Sequence, residues 1–363
     1  MRGSRSSRPR VVPPTRPLRG LKLGLACVVA LALQTPSSRA AEHTFHGDER
    51  GWTYIMNKLV DDGVDRDRVE EVFTDPRFGS FTGLMFELHP REPRSMYRGF
   101  LRSSSIARAR VCRASYREEL DSAEHRFGVP ASVLTAILHV ETGCGGNTGR
   151  SLILPRLARL AMANDPENVE RNLERQAPDD DVNDVDPETA RMVKSRASYL
   201  ETTFYPEVLA TFTLSERLQV DPLDIHGSSS GAFGIPQFLP RSYLRYGVDG
   251  NGNGRVSLFE PADAIASCAN YLVHNGWKSG LTLNERRRVL WSYNHSPAYI
   301  DTVLALASRL DTDGATRAPS APSRPNPTVT AKKKPQRSTR PHQAVRAAKN
   351  PPGDGKARTV AQN

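Results

Sequence analysis

The chain has 363 residues, with 38% hydrophobic and 25% charged, which suits a soluble globular protein able to bury one large core or two small ones. Its formal charge of +10 invites a nucleic-acid reading, but the placement argues against it: residues 1–40 hold eight Lys or Arg and no acid, residues 315–363 hold eleven against Asp354, and 41–314 keep 31 bases against 39 acids. A net-acidic middle does not follow a phosphate backbone, so no nucleic-acid partner is expected.

The Arg-rich start runs into an apolar stretch, Leu21 to Leu33, and then Ser38-Arg39-Ala40, with small residues at the −3 and −1 positions of a cleavage site after Ala40. That is the pattern of a secretory signal peptide over 1–40, and the run is short for a membrane span. Cys27 raises lipid attachment as an alternative, but Gly24 stands where a lipobox wants a branched apolar residue, and a lipid anchor is not expected. Export places the mature chain in the periplasm or cell envelope, an oxidising compartment. Three cysteines then remain, Cys112, Cys144 and Cys268; one pair and one spare thiol are allowed, and the sequence does not choose the pair.

Residues 51–73 carry a helix pair, with Trp52, Ile55, Leu59 and Val60 on one face and Val69, Val72 and Phe73 on the next. The stretch 77–110 is less regular, broken by Pro90 and Pro93. A helix from about Arg113 to Phe127 stops at Gly128, and Pro130 opens another, Ala131 to Thr142, that stops at Gly143. Helices follow at about 151–164 and 189–219, and the polar, Pro-containing stretch 165–188 reads as a surface excursion between them. Residues 227–260 are dense in Gly, Ser and Asn. Helices at Ala262–Asn275, 284–294 and 298–310 close a domain spanning 41–310. Beyond 310 the composition turns to Pro, Ala, Lys and Arg, too poor in large apolar residues for a core, so 311–363 reads as a basic disordered tail. The fold class expected is mainly α, with little β structure.

The most informative segment ends in Val140-Glu141-Thr142-Gly143-Cys144-Gly145-Gly146. Glu141 follows Ile137 and Leu138 by one helical turn, on the face they define. An acid among apolar neighbours loses hydration when ionised, and the helix C-terminus also disfavours its charge, so it should hold its proton as a general acid must. An exposed or salt-bridged Glu at the rim of a core helix would leave the same local pattern.

Asp249-Gly-Asn251-Gly-Asn253-Gly254-Arg-Val-Ser257-Leu-Phe-Glu260 fits the spacing of an EF-hand calcium loop. Asp249, Asn251, Asn253, the Arg255 carbonyl, Ser257 and Glu260 are the expected ligands. With only two charged ligands, a structural Ca2+ of modest affinity is expected, and no organic cofactor. A Gly-Asn hairpin without metal is the alternative.

Gly227-Ser228 through Gly231-Ala232 to Gln237-Phe238 mixes small hydroxyls, an amide and flat apolar rings, which suits a sugar, although a loop with packed Phe side chains looks the same. Trp291-Ser-Tyr293-Asn294-His295-Ser296-Pro-Ala-Tyr299 joins aromatic rings to amide and hydroxyl donors. No Ser-His-Asp or Cys-His pattern supports an activated nucleophile.

Together, in order and spacing across about 51–310, these segments resemble the family of membrane-bound lytic murein transglycosylase B. The matching residues are Val140-Glu141-Thr142, Gly227 to Pro240, the Asp249–Glu260 loop with Pro261 to Ile265, Ala269-Asn-Tyr271, Gly276-Trp277 and Tyr293 to Ser296. The resemblance implies a lysozyme-like helical domain and a catalytic Glu at Glu141. It also implies glycan contacts at Ser228, Gln237, Tyr293, Asn294 and Tyr299, and a metal in the loop. Its implied activity is cleavage of the bond between N-acetylmuramic acid and N-acetylglucosamine in peptidoglycan strands, without water, to give 1,6-anhydro ends. A hydrolytic muramidase of the same fold and a non-catalytic, calcium-dependent peptidoglycan-binding protein are the alternatives. A monomer is expected, with the basic tail either touching anionic envelope polymers or acting as a solvated linker. The chain departs from the family's pattern where Cys144 replaces an aromatic residue, where 165–188 does not reproduce the family's arginine-bearing stretch, so that no Arg is carried across as a ligand, and in the tail.

Overall fold

The computed structural model of the chain describes residues 45, 46, 49–90, 92–177 and 185–315, the last three by backbone only. The expected signal peptide, Cys27 and the tail beyond 315 lie outside the described residues.

Two short helices open the described chain, α1 (Thr53–Asp61) and α2 (Arg66–Thr74), divided at Gly63, whose φ of 91° is the left-handed turn the expected helix pair requires. Asp65 caps α2 by accepting from the Arg68 amide at 3.0 Å. Trp52 packs edge-on against Phe73 and Phe78 and donates its indole N–H to the Gly79 carbonyl, which ties the irregular stretch that follows to this pair.

The expected helix at 113–127 is instead two helices, α3 (Ser103–Ser115) and α4 (Arg117–Phe127), meeting at Tyr116. α3 begins inside the stretch expected to be irregular. Its buried face is Ser105, Ile106, Ala109 and Cys112, mostly small, and its outer face is studded with arginine, so no large apolar period marks it. α5 (Ala131–Thr142) has the expected bounds, entered from extended Pro130 and ended by Gly143 at φ 61°.

After α5, β1 (Ser151–Leu152) precedes α6 (Ile153–Ala161) and α7 (Pro166–Glu174). α7 corrects the surface excursion expected there. It buries two asparagines rather than apolar residues: the Asn168 and Asn172 side-chain oxygens accept the amides of Leu84 and Phe86, and Asn172 Nδ2 donates to the Leu84 carbonyl. Residues 178–184 of that excursion lie outside the described residues.

α8 (Pro187–Leu218) is the longest element, capped by Asp186 on the amides of Glu188 and Thr189, and continues through Pro206. β2 (His226–Gly227) pairs antiparallel with β1, Ser151 opposite Gly227. Then come α9 (Pro240–Tyr246), α10 (Pro261–His274), α11 (Leu283–Tyr293) and α12 (Pro297–Ala315), so the last helix runs past the expected end at 310. α11 starts on a capping box in which Thr282 and Glu285 satisfy each other's backbone amides.

α5 sits at the centre, packed by α3, α4, α10 and α12, while α6 and α9 lie against α8. Nearly all the buried apolar residues form one continuous cluster. Among the described residues the only sheet is the two-residue pair, so the architecture is mainly α with little β structure, and no helix is long and apolar enough to cross a membrane.

Candidate active site

Eleven of the twelve residues of α5 are buried, and Glu141 in the last turn is the one left partly accessible. It opens into a cavity of ≈ 300 Å³ lined also by Met96, Tyr97, Phe100, Arg108, His139, Gly143 and Asn147. Its carboxyl is shielded from water, and this loss of hydration pushes its pKa up to about 8. Tyr299 opposes that rise by donating its hydroxyl to Glu141 Oε1 at 2.7 Å, and the charge of Glu92 adds to it. Near neutral pH the acid therefore keeps its proton, with one oxygen oriented by Tyr299.

Tyr299 comes from α12 and is fully buried. Tyr293, at the end of α11, stacks on it with ring centroids 6.4 Å apart and 8° between planes, and donates its own hydroxyl to the Pro236 carbonyl. Burial pushes both phenols well above their ordinary pKa, so neither carries charge beside the acid.

The chain after Glu141 turns sharply. Gly143, Cys144 and Gly145 all have positive φ, which strains Cys144 because it carries a Cβ. Three contacts hold this turn. A disulfide joins Cys144 to Cys112 of α3, Tyr116 donates to the Cys144 carbonyl at 3.2 Å, and Thr142 Oγ1 accepts the Gly145 amide while donating to the Ile235 carbonyl. The pairing left open by the sequence is thus Cys112–Cys144, and Cys268 is a buried free thiol. A Cβ at Gly149 would fall 2.0 Å from the Gly227 carbonyl oxygen, so only glycine lets the two backbones approach there.

That approach sets Ser228 against the segment that follows Glu141. Ser228 Oγ accepts the Ala232 amide at 3.2 Å, shaping its loop. Gln237, at φ 52°, donates Nε2 to the Thr148 and Gly234 carbonyls, tying its loop to the segment after Glu141. Asn294 is buried, and its Nδ2 has no hydrogen-bond partner among the described residues. Of the candidate residues, then, Glu141 and Tyr299 touch, Tyr293 backs Tyr299, and Gln237 and Ser228 belong to a loop packed on the acid's own turn. The described hydrogen bonds include none from Ser228, Gln237 or Asn294 to Glu141.

Sequence reasoning missed most of the cavity wall. Tyr97, Phe100 and Met96 come from the irregular stretch, and no period or motif marks them. His139, whose ring meets that of Phe100 edge-on at 5.9 Å and which is bonded to Ser105, lies on α5 itself; burial and then Arg108 push its pKa down.

In the loop 249–260, Asp249 accepts the amides of Gly252 and Asn253 at one oxygen and of Gly254 at the other. Asn251 and Asn253 turn their amide nitrogens on Glu260 Oε2 at 2.8 and 3.5 Å. Arg255 gives its amide to Asn253 Oδ1, and the Ser257 amide goes to buried Asp263. Four of the six expected ligands therefore share one small space, and turning both asparagine amides over presents oxygens where the nitrogens now lie. No cluster of three or more His, Cys, Asp or Glu that could hold a metal occurs among the described residues; this donor set has two carboxylates and two amides. The loop also braces the turn after Glu141, since Ile235, whose carbonyl accepts from Thr142, donates its amide to the Leu258 carbonyl at 2.7 Å.

The chain is 30% identical over 240 residues to the membrane-bound lytic murein transglycosylase B of Escherichia coli strain K12, an overlap of 62% of this chain. It spans 57% of the length of that curated relative. Among solved structures it resembles the Escherichia coli lytic transglycosylase SLT35 in complex with bulgecin A, with a TM-score of 0.54 at 20% identity, covering 76% of this chain and 98% of that one. A structure of SLT35 in complex with calcium matches equally, with a TM-score of 0.54, 20% identity and the same coverage. The catenated lytic transglycosylase SltB1 of Pseudomonas aeruginosa gives a TM-score of 0.54 at 22% identity over 74% of this chain and 98% of that one. These likenesses show a shared lysozyme-like fold. The transglycosylase SLT domain family matches residues 48–288, about two-thirds of the sequence, and the chain belongs to that family.

Proposed function

We propose that this protein is a peptidoglycan lytic transglycosylase that cleaves the β-1,4 bond between N-acetylmuramic acid and N-acetylglucosamine. The observation that carries this reading is a carboxyl that stays protonated near neutral pH, on a residue lining a cavity, with one oxygen held by Tyr299. Glu141 gives its proton to the bridging oxygen as the bond from C1 breaks, and N-acetylglucosamine leaves with a restored hydroxyl. The resulting carboxylate takes the proton of the muramic C6 hydroxyl, whose oxygen closes on C1 to form the 1,6-anhydro ring. The acid ends protonated as it began, and no water is consumed. One carboxylate suffices, unlike the pair that flanks the bond in most glycosidases.

Ser228, Gln237 and Asn294 are the proposed polar glycan contacts, and the unpartnered Asn294 Nδ2 is a donor ready for a sugar oxygen. Tyr293 and Tyr299 are the proposed aromatic floor of the same site. Asp249, Asn251, Asn253, Arg255, Ser257 and Glu260 would hold a structural Ca2+, which supplies stability to the loop that braces Ile235; SLT35 has been crystallised with calcium. The proposed setting is the periplasmic cell wall, with the chain acting as a monomer.

Glu141→Gln should abolish clearing of purified sacculi while leaving them bound, and mass spectrometry of wild-type digests should find 1,6-anhydro ends. Reducing ends in their place would identify a hydrolytic muramidase, and unchanged clearing by the variant would remove Glu141 from the reaction.

A further inference from the structure

Burial and Tyr299 do not account for all that acts on the acid. Glu92 stands between the breakers Pro90 and Pro93, in a stretch with no helical period. Tyr97 donates its hydroxyl to Glu92 Oε2 at 2.7 Å, while Oε1 is buried with no hydrogen-bond partner among the described residues. The Tyr97 ring is itself buried, lines the Glu141 cavity, and meets Tyr299 edge-on at 6.1 Å and 83°. Tyr299 in turn holds Glu141. A carboxylate, two phenols and the acid thus form one continuous cluster.

We propose that Glu92 is a positioning residue of the active site: its carboxylate, seated behind Tyr97, acts on Glu141 rather than on the sugar and helps to keep it the proton donor. The inference rests on the transglycosylase reading and deepens it. Two nearby carboxylates resist ionising together, so charge on Glu92 favours the proton on Glu141, and the direction of its effect on the acid is upward.

The other groups facing Glu141 do not mask this. The phenols of Tyr97, Tyr293 and Tyr299 are held protonated chiefly by burial, and burial pushes the Cys268 thiol of α10 up to about 12. His139 is pushed toward its neutral form by burial and Arg108. Arg108 of α3, on the cavity wall, is the group of opposite sign.

The test is the pH profile of sacculus clearing. Glu92→Gln keeps an oxygen for the Tyr97 hydroxyl and removes the charge. The alkaline limb should move to lower pH by on the order of half a pH unit, with the rate on the acid side unchanged. Glu92→Asp, which keeps the charge, should leave the limb closer to wild type. Glu92→Ala should move it as far as Glu92→Gln does; a displacement in the alanine variant alone would mean lost packing and overturn the proposal. A limb unmoved in Glu92→Gln, even with a lower rate at every pH, also overturns it. Carbon-13 NMR titration of the Glu141 carboxyl, assigned by its loss in Glu141→Gln, reads the same displacement without turnover, and equal melting curves show that the variants are folded. Clearing by Glu141→Gln would sink the transglycosylase reading itself. Loss of clearing in Glu141→Gln with no displacement in Glu92→Gln would sink only this inference.

Discussion

Glu141 and Tyr299 pull in opposite directions on one proton. Loss of hydration holds it on the carboxyl, and the phenol's hydrogen bond favours releasing it. Tyr299→Phe should therefore raise the pKa of the acid further while freeing its orientation. We expect kcat to fall by on the order of tenfold or more, about what one lost orienting hydrogen bond implies, with the alkaline limb moved upward. A pH profile of the variant checks both. The raised pKa also bears on stability. The native state holds this proton more tightly than the unfolded chain, so its favourable contribution is present below the usual carboxylate range and is lost as pH rises toward about 8. Glu141→Gln removes that dependence. Its stability relative to wild type should grow by about 1 kcal/mol per pH unit across this window, measured by urea titration at several pH values.

At the scale of elements, α5 and its stop were legible because their signals are local and strong. Pro130, an unbroken apolar run and Gly143 lie in the order that helix physics requires. α3 and α7 were not, since one buries small residues and the other buries asparagines, and neither leaves a large apolar stripe. Glu92 sits between Pro90 and Pro93 and Tyr97 follows shortly after, with nothing in their spacing to bring them to Glu141 across the fold. The disulfide was legible as a possibility only; its partners meet because α3 packs on α5. That bond closes a 32-residue separation and braces the strained turn after the acid. Replacing both Cys112 and Cys144 by serine should cost about 3 kcal/mol in urea unfolding and lower the clearing rate as the turn relaxes. For the loop 249–260, calcium should raise the melting temperature and Asp249→Ala should remove the increase. Equal curves with chelator and with calcium would count against a metal there.

Over the described residues, three glutamates shielded from water divide into two groups. Glu141 and Glu207 are raised by burial, to about 8 and about 7, while Glu201, although burial raises it, is lowered overall by hydrogen bonds from Tyr54, Lys58 and Asn164. Raised acids favour the native state at low pH and cease to do so as pH climbs through their folded values. Lowered ones support it above the usual carboxylate range and fail as pH falls. Thermal stability should therefore peak on the mildly acidic side of neutrality and decline toward pH 9, a decline that Glu141→Gln makes shallower. Calorimetry across pH 4–9 tests this, and a peak at alkaline pH would contradict it.

Because α5 is enclosed on nearly every face, it behaves like an axle set in its bearings. A new side chain along its length disturbs a neighbour before it can alter the chemistry. Any retuning of what the acid meets must come from the loops leaning over its open end. Under the proposed activity, different glycan preferences on this scaffold are thus a matter of changing the rim while the hub stays put.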